Sequence, residues 1–338
     1  MQRRTWLKSV TGALAGHFLL GDVRAQSSPA TRTFKVLPPD EGGHPATQLQ
    51  DAFAYDGNVY YLAHEAGESG NEIYKVGCTS PAGKMVWRRR LPYGLYNGIG
   101  MSPKGSLLLL AIPAPGRHKD DPLNSVYSVA PGEGNPPQLT WVAAIPSTQI
   151  GIGILPFLKG SHFGLVTNGL SLSMTTLNDA LRPSPPANYN LPAPPYRAFD
   201  ILPHGTSVLV VNKETAEVGV CDSASAAYSP IAISGSAVSV AKAALQKSIQ
   251  ASTLGPNATE LLIAASGVVG DSLHMLLLPF LNGVATYAWC DANFAVKGAM
   301  NIPLSQLPRA VSLGILQLGG EAAIVYSDGS AVAFPIPA

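Results

Sequence analysis

The chain has 338 residues and a formal net charge of +1, with 13% charged and 46% apolar residues. Its charge density is about half that of an ordinary globular protein, and it holds 34 Gly and 29 Pro. Together these exclude a coiled coil, a disordered chain and a basic nucleic-acid binder; a turn-rich, all-β globular chain remains.

Residues 1–25 read as an address. Arg3, Arg4 and Lys8 precede a modest apolar stretch from Val10 to Leu20, and Val23-Arg24-Ala25 suits cleavage before Gln26. The stretch is shorter than the ~20 residues of a membrane span. The run Arg3-Arg4-Thr5-Trp6-Leu7-Lys8 resembles the twin-arginine signal of bacteria; a general secretory signal that happens to hold two arginines is the other reading. The resemblance implies export of a folded chain to the periplasm. Residues 26–338 then form one domain, with 18 Lys and Arg against 20 Asp and Glu, a net charge of −2. Neither a nucleic-acid partner nor a membrane span is expected of it.

The body repeats at an offset of about 50 residues. In the first unit, 52–63 is followed by Glu72-Ile-Tyr-Lys-Val and by Gly83-Lys84-Met85-Val86-Trp87. In the second, 100–111 is followed by Ser125-Val-Tyr-Ser-Val and by Gln138-Leu-Thr-Trp141. Each reads as strand, Gly turn, strand, loop, strand, turn, strand. Looser units follow over 151–192, 196–234 and 260–303. The last, 309–338, offers only three strands, at 310–316, 322–326 and 331–335. The segment 33–38 looks like its missing fourth. These features predict a six-bladed β-propeller whose last blade is closed by the N-terminal strand, which hides the sheet edges. Seven blades or a pair of β-sandwiches are the alternatives. Within 237–258, Val238, Ala241, Leu245 and Ile249 recur at helical spacing and predict a helical insertion.

Asp56-Gly57-Asn58-Val59-Tyr60 followed by Gly83-Lys84-Met85-Val86-Trp87 resembles the quinoprotein-type and related propeller repeats of exported bacterial proteins. The resemblance covers the first two units well and the others poorly. It implies the propeller fold and raises a quinone as a possible cofactor. The chain departs from that pattern in repeating its Trp motif only at Trp87 and Trp141, and in lacking a vicinal cysteine pair.

Propeller strands alternate in direction, so the loops after each second strand and between blades share one face. There the chain spends its extra length, over 64–71, 112–124 and 237–258. Long loops on a rigid scaffold are where binding sits. His64 and Glu65 offer a base or a metal ligand, or else a solvated loop pair. Arg117 and His118 open a charged loop whose Asp120 and Asp121 suit a calcium ion, or plain solvation. Gln48, Tyr96, Asn97, Tyr196, Arg197 and Arg309 stand near the starts of innermost strands and would ring the channel mouth. An Arg fork there suits carboxylate or phosphate; packing and capping of the channel is the other role. Asp51 and Asp200 are the inner-strand carboxylates.

Cys78, Cys221 and Cys290 fall near the ends of third strands in different units, too far apart for disulfides, and are expected as free structural thiols. No hydrolase elbow, zinc-protease or P-loop signature occurs, and no catalytic residue, resident metal or cofactor is legible. The expected function is a periplasmic binding or protein-interaction module, using its long-loop face on an unidentified periplasmic protein or small ligand. The alternative is a propeller enzyme, a lactonase-like hydrolase or sugar dehydrogenase, with a metal or quinone in the channel.

Overall fold

Each four-strand unit folds as its own meander. The computed structural model describes residues 30–38, 47–66, 72–102, 104–112, 125–130, 137–144, 151–156, 162–167, 171–178, 180–185, 187–190, 199–205, 207–222, 228–251, 261–281 and 283–336. After β1 (Arg32–Lys35), the first sheet is β2 (Gln48–Tyr55), β3 (Asn58–Ala66), β4 (Glu72–Thr79) and β5 (Met85–Arg90). Its first hairpin turns on Asp56 and Gly57, both at positive φ. That backbone matches the strand twist and favours Asp-Gly.

The second sheet is β6 (Leu95–Met101), β7 (Leu107–Ile112), β8 (Ser125–Val129) and β9 (Leu139–Ala144). The third is β10 (Gly151–Pro156), β11 (His162–Thr167), β12 (Ser171–Leu177) and β13 (Ala187–Asn190). The fourth is β14 (Phe199–His204), β15 (Ser207–Asn212), β16 (Glu217–Asp222) and β17 (Tyr228–Ala232). After α1 (Ser236–Ala251) comes the fifth, β18 (Ile263–Val269), β19 (Ser272–Leu281), β20 (Val284–Cys290) and β21 (Val296–Pro303). The sixth is β22 (Ser312–Leu318), β23 (Glu321–Tyr326) and β24 (Ser330–Pro335), with β1 as its outer strand.

Among the described residues these strands therefore form six antiparallel four-stranded sheets. Their innermost strands meet in the order β2, β6, β10, β14, β18, β22, and β22 returns to β2. The ring is closed, as the repeats predict. The core lies in the seams, as a wedge of side chains between successive sheets. The second strands β7 and β15 are covered on both sides, so they read as unbroken apolar runs: Leu108–Leu110 and Val208–Val211 are all 0% exposed.

Closure depends on β1. It pairs with β24 from Arg32↔Ala333 to Lys35↔Ser330. Beyond it, Val36 and Leu37 both turn their N–H groups to Gly329 O, so the strand is shorter than the predicted 33–38. Phe34, Val36 and Leu37 fill the seam between the sixth and first sheets. Thr79 Oγ1 donates to Val36 O at 2.8 Å, and Arg32 pairs with Glu321 while donating to Pro81 O.

Within the 237–258 insertion the described part, up to Ala251, is helical, as its spacing predicts. Val238, Ala241 and Leu245 are buried and Ile249 partly so, in the core between the fourth and fifth sheets. The stripe wedges that seam because its apolar face must be covered. Among the described residues no helix is long and apolar enough to cross a membrane.

Candidate functional site

Among the described residues, five of the six inner strands carry a one-residue bulge near their first end: between Leu49 and Asp51, Tyr96 and Gly98, Gly151 and Gly153, Ile263 and Ala265, and Ser312 and Gly314. A bulge re-aims side chains. In β2 it turns both Gln50 and Asp51 toward β6. Gln50 Nε2 donates to Tyr96 O at 3.0 Å. The Ile99 N–H donates to Asp51 Oδ2 at 3.0 Å. The two bonds straddle Asn97, the residue that the register of β6 skips. Burial pushes the Asp51 carboxyl up to about 6, opposed by the N–H groups of Ile99 and Ala52.

Beside them a cross-strand row runs Gln48↔His64↔Tyr74, so these three share one sheet face. The His64 ring lies 5.9 Å from that of Tyr74. Tyr74 donates to Glu72 Oε2 at 2.6 Å and meets Tyr96 edge-on at 5.4 Å. Burial, then the Glu72 carboxylate, raises the Tyr74 phenol. In this setting Gln50 Oε1 and His64 Nδ1 are buried and, among the described residues, have no hydrogen-bond partner. On the opposite sheet face Glu65 Oε2 accepts from Lys75 Nζ at 2.8 Å and from Thr47 Oγ1 at 3.0 Å. All of this lies at the end from which the β3–β4 link leaves.

The structure relocates several sequence-predicted residues. His64 and Glu65 are not loop residues: β3 continues to Ala66, and Glu65 is held in an ion pair. Tyr96 does not open on the channel mouth. It is 4% exposed, packed with Phe53 and Tyr74, and its hydroxyl donates to Pro92 O at 3.2 Å. Gln48 is exposed at the start of β2, Asn97 is half-buried, and Arg309 is exposed in the link to β22. Arg117, His118, Tyr196 and Arg197 lie outside the described residues. Gln50, Tyr74 and Lys75 were missed. The one available signal was Gln50-Asp51, two polar residues in succession where a strand should alternate.

At the seam between the fourth and fifth sheets, Asp200 Oδ2 accepts from Ser266 N–H at 3.1 Å and Ser266 Oγ at 2.7 Å. Lys213 Nζ lies 3.2 Å from Asp200 Oδ1. Both inner-strand carboxylates are thus engaged by neighbouring groups. Among the described residues no three His, Cys, Asp or Glu side chains come together as metal ligands. Trp87 and Trp141 stand on the outer strands β5 and β9. Cys78, Cys221 and Cys290 are buried free thiols in three different sheets, and burial pushes the last two up to about 12. The described residues fit neither a channel metal nor a quinone beside a vicinal cysteine pair. His274 is a core residue: it is 2% exposed, Nδ1 lies 2.7 Å from Tyr287 OH, and burial lowers it to about 4.

No protein-family model matches the chain, and no curated protein matches it in sequence. Solved structures resemble it in fold. Virginiamycin B lyase from Staphylococcus aureus is 9% identical, with a TM-score of 0.49 over 91% of this chain and 100% of that one. A protein of unknown function from Bacteroides caccae is 12% identical, with a TM-score of 0.42 over 78% and 84%. A luciferin-regenerating enzyme is 8% identical, with a TM-score of 0.54 over 91% and 96%. The last likeness, to a propeller-like structure, joins the closed ring of sheets in identifying the fold of this chain as a β-propeller.

Proposed function

We propose that the protein is an exported periplasmic binding module that receives its ligand at the loop-bearing end of the first two sheets. The observation that carries this reading is the pair of buried, unpartnered atoms Gln50 Oε1 and His64 Nδ1. A buried polar atom left unmatched costs about 1–3 kcal/mol. Two in one seam, at the end of the strands, are accounted for by an incoming group that completes them. The rest of the seam supports the reading, because Gln50 is clamped through its Nε2 and so presents Oε1 in one fixed direction. The twin-arginine-like run at Arg3 and Arg4 supports export. The enzyme alternative would draw on inner-strand carboxylates, and Asp51 and Asp200 serve the neighbouring sheets instead.

The test is native mass spectrometry of the protein recovered from the periplasmic fraction of its own cells. The expected result is a bound molecule that a His64→Phe/Gln50→Met double variant no longer retains. Absence from that fraction would sink the export reading. A bare protein, with no melting shift across a metabolite screen, would sink the binding reading.

A further inference from the structure

We infer that the ligand of the β2–β6 seam is a neutral, polyhydroxylated small molecule of the sugar or polyol class. The inference rests on the binding reading above and adds the chemistry of the ligand. Gln50 Oε1 is an acceptor only, so the incoming group must donate a hydrogen bond. His64 Nδ1 accepts or donates according to tautomer. A hydroxyl, which does both, matches the two atoms together; a carboxylate or phosphate, which only accepts, cannot satisfy Gln50 Oε1.

The charges around the seam argue the same way. Glu72 accepts from Tyr74 and Asp51 from the Ile99 backbone, while Glu65, on the opposite sheet face, is matched by Lys75 and Thr47. Both seam carboxylates thus already accept a hydrogen bond, and burying a further, unmatched charge is costly.

The experiment is titration calorimetry of the full chain with D-glucose, D-galactose and myo-inositol, beside D-glucuronate and D-glucosamine as charged counterparts. At least one neutral probe is expected to bind. His64→Phe and Gln50→Met are each expected to weaken it about tenfold, the weight of one neutral hydrogen bond, with unfolding curves showing that each variant folds. Binding of the charged probes as tightly as the neutral ones overturns the inference and leaves the binding reading standing. So does a natural ligand, found by mass spectrometry, that carries a net charge. Neutral binding unaffected by either variant, or a crystal structure with ordered water alone between Gln50 and His64 at saturating probe, overturns it as well.

Discussion

The seam between the first and second sheets and the seam between the fourth and fifth lie opposite each other in the ring, and each is stapled by an inner-strand aspartate. Asp200 accepts from the Ser266 backbone and hydroxyl and faces the Lys213 ammonium. Asp51 accepts from the Ile99 backbone, and burial raises its carboxyl. The Asp200 seam is also wedged by the apolar stripe of α1. The Asp51 seam holds two polar atoms without partners. The same device is thus electrostatically complete on one side of the ring and incomplete on the other. Among the described residues Trp289 Nε1 and Tyr326 OH are also buried without partners, in the apolar core between the fifth and sixth sheets; the Asp51 seam differs in holding its pair where the strands end at the loop-bearing face, and that marks where binding is to be sought.

Three substitutions sharpen that contrast. The largest effect is expected from Asp200→Ala, which strands the Lys213 ammonium and both Ser266 donors. It should cost about 3 kcal/mol, because the part-buried carboxylate accepts two hydrogen bonds and faces an ammonium, read as a fall in the denaturation midpoint. A loss no greater than that of Asp51→Ala would erase the distinction between the seams. Next is Asp51→Asn, followed through the pH dependence of unfolding. The folded carboxyl is raised from 3.8 to about 6, so its favourable protonated form is fully present below the unfolded value and lost as pH rises through 6. Asn keeps an acceptor for Ile99 without the charge. It should stabilise the protein by about 1–3 kcal/mol at pH 8 and by almost nothing at pH 4; a pH-independent effect would contradict this. The smallest effect is expected from His64→Phe, which keeps the ring and deletes an unpartnered nitrogen. Relieving that unmatched atom should stabilise the protein by about 1 kcal/mol while ligand retention is lost. A large destabilisation would make His64 structural.

Much of the architecture was legible because it rests on local chemistry. Asp56-Gly57 can hardly be anything but a tight hairpin turn, and the stripe of Val238, Ala241, Leu245 and Ile249 is periodic only as a helix. The missing strand of the last unit and the spare one at the N-terminus called for each other. The free cysteines followed from placing each in a different repeat. The site was less legible, and the bulges are the reason. One extra residue flips every later side chain to the other face, and alternation alone does not say where it falls. Tyr96 therefore read as a channel residue, although the bulge immediately after it leaves its ring in the seam beside Tyr74. His64 and Glu65 read as loop because polar residues cluster there, but β3 carries them to its end by pairing with Tyr74 and Ile73.

What the sequence by itself determined is the repeat, the strand order within each unit, the helical insertion and the closing role of the N-terminal strand. All of these follow from hydrophobic period and turn chemistry over a few residues. Only the tertiary structure decided which polar groups meet. Asp51 with Ile99, Gln50 with Tyr96 and Asp200 with Ser266 are pairings between sheets 46–66 residues apart in the chain. They depend on bulge position and on how one sheet twists against the next. Those long-range geometries leave Gln50 Oε1 and His64 Nδ1 unmatched, and no local pattern encodes that.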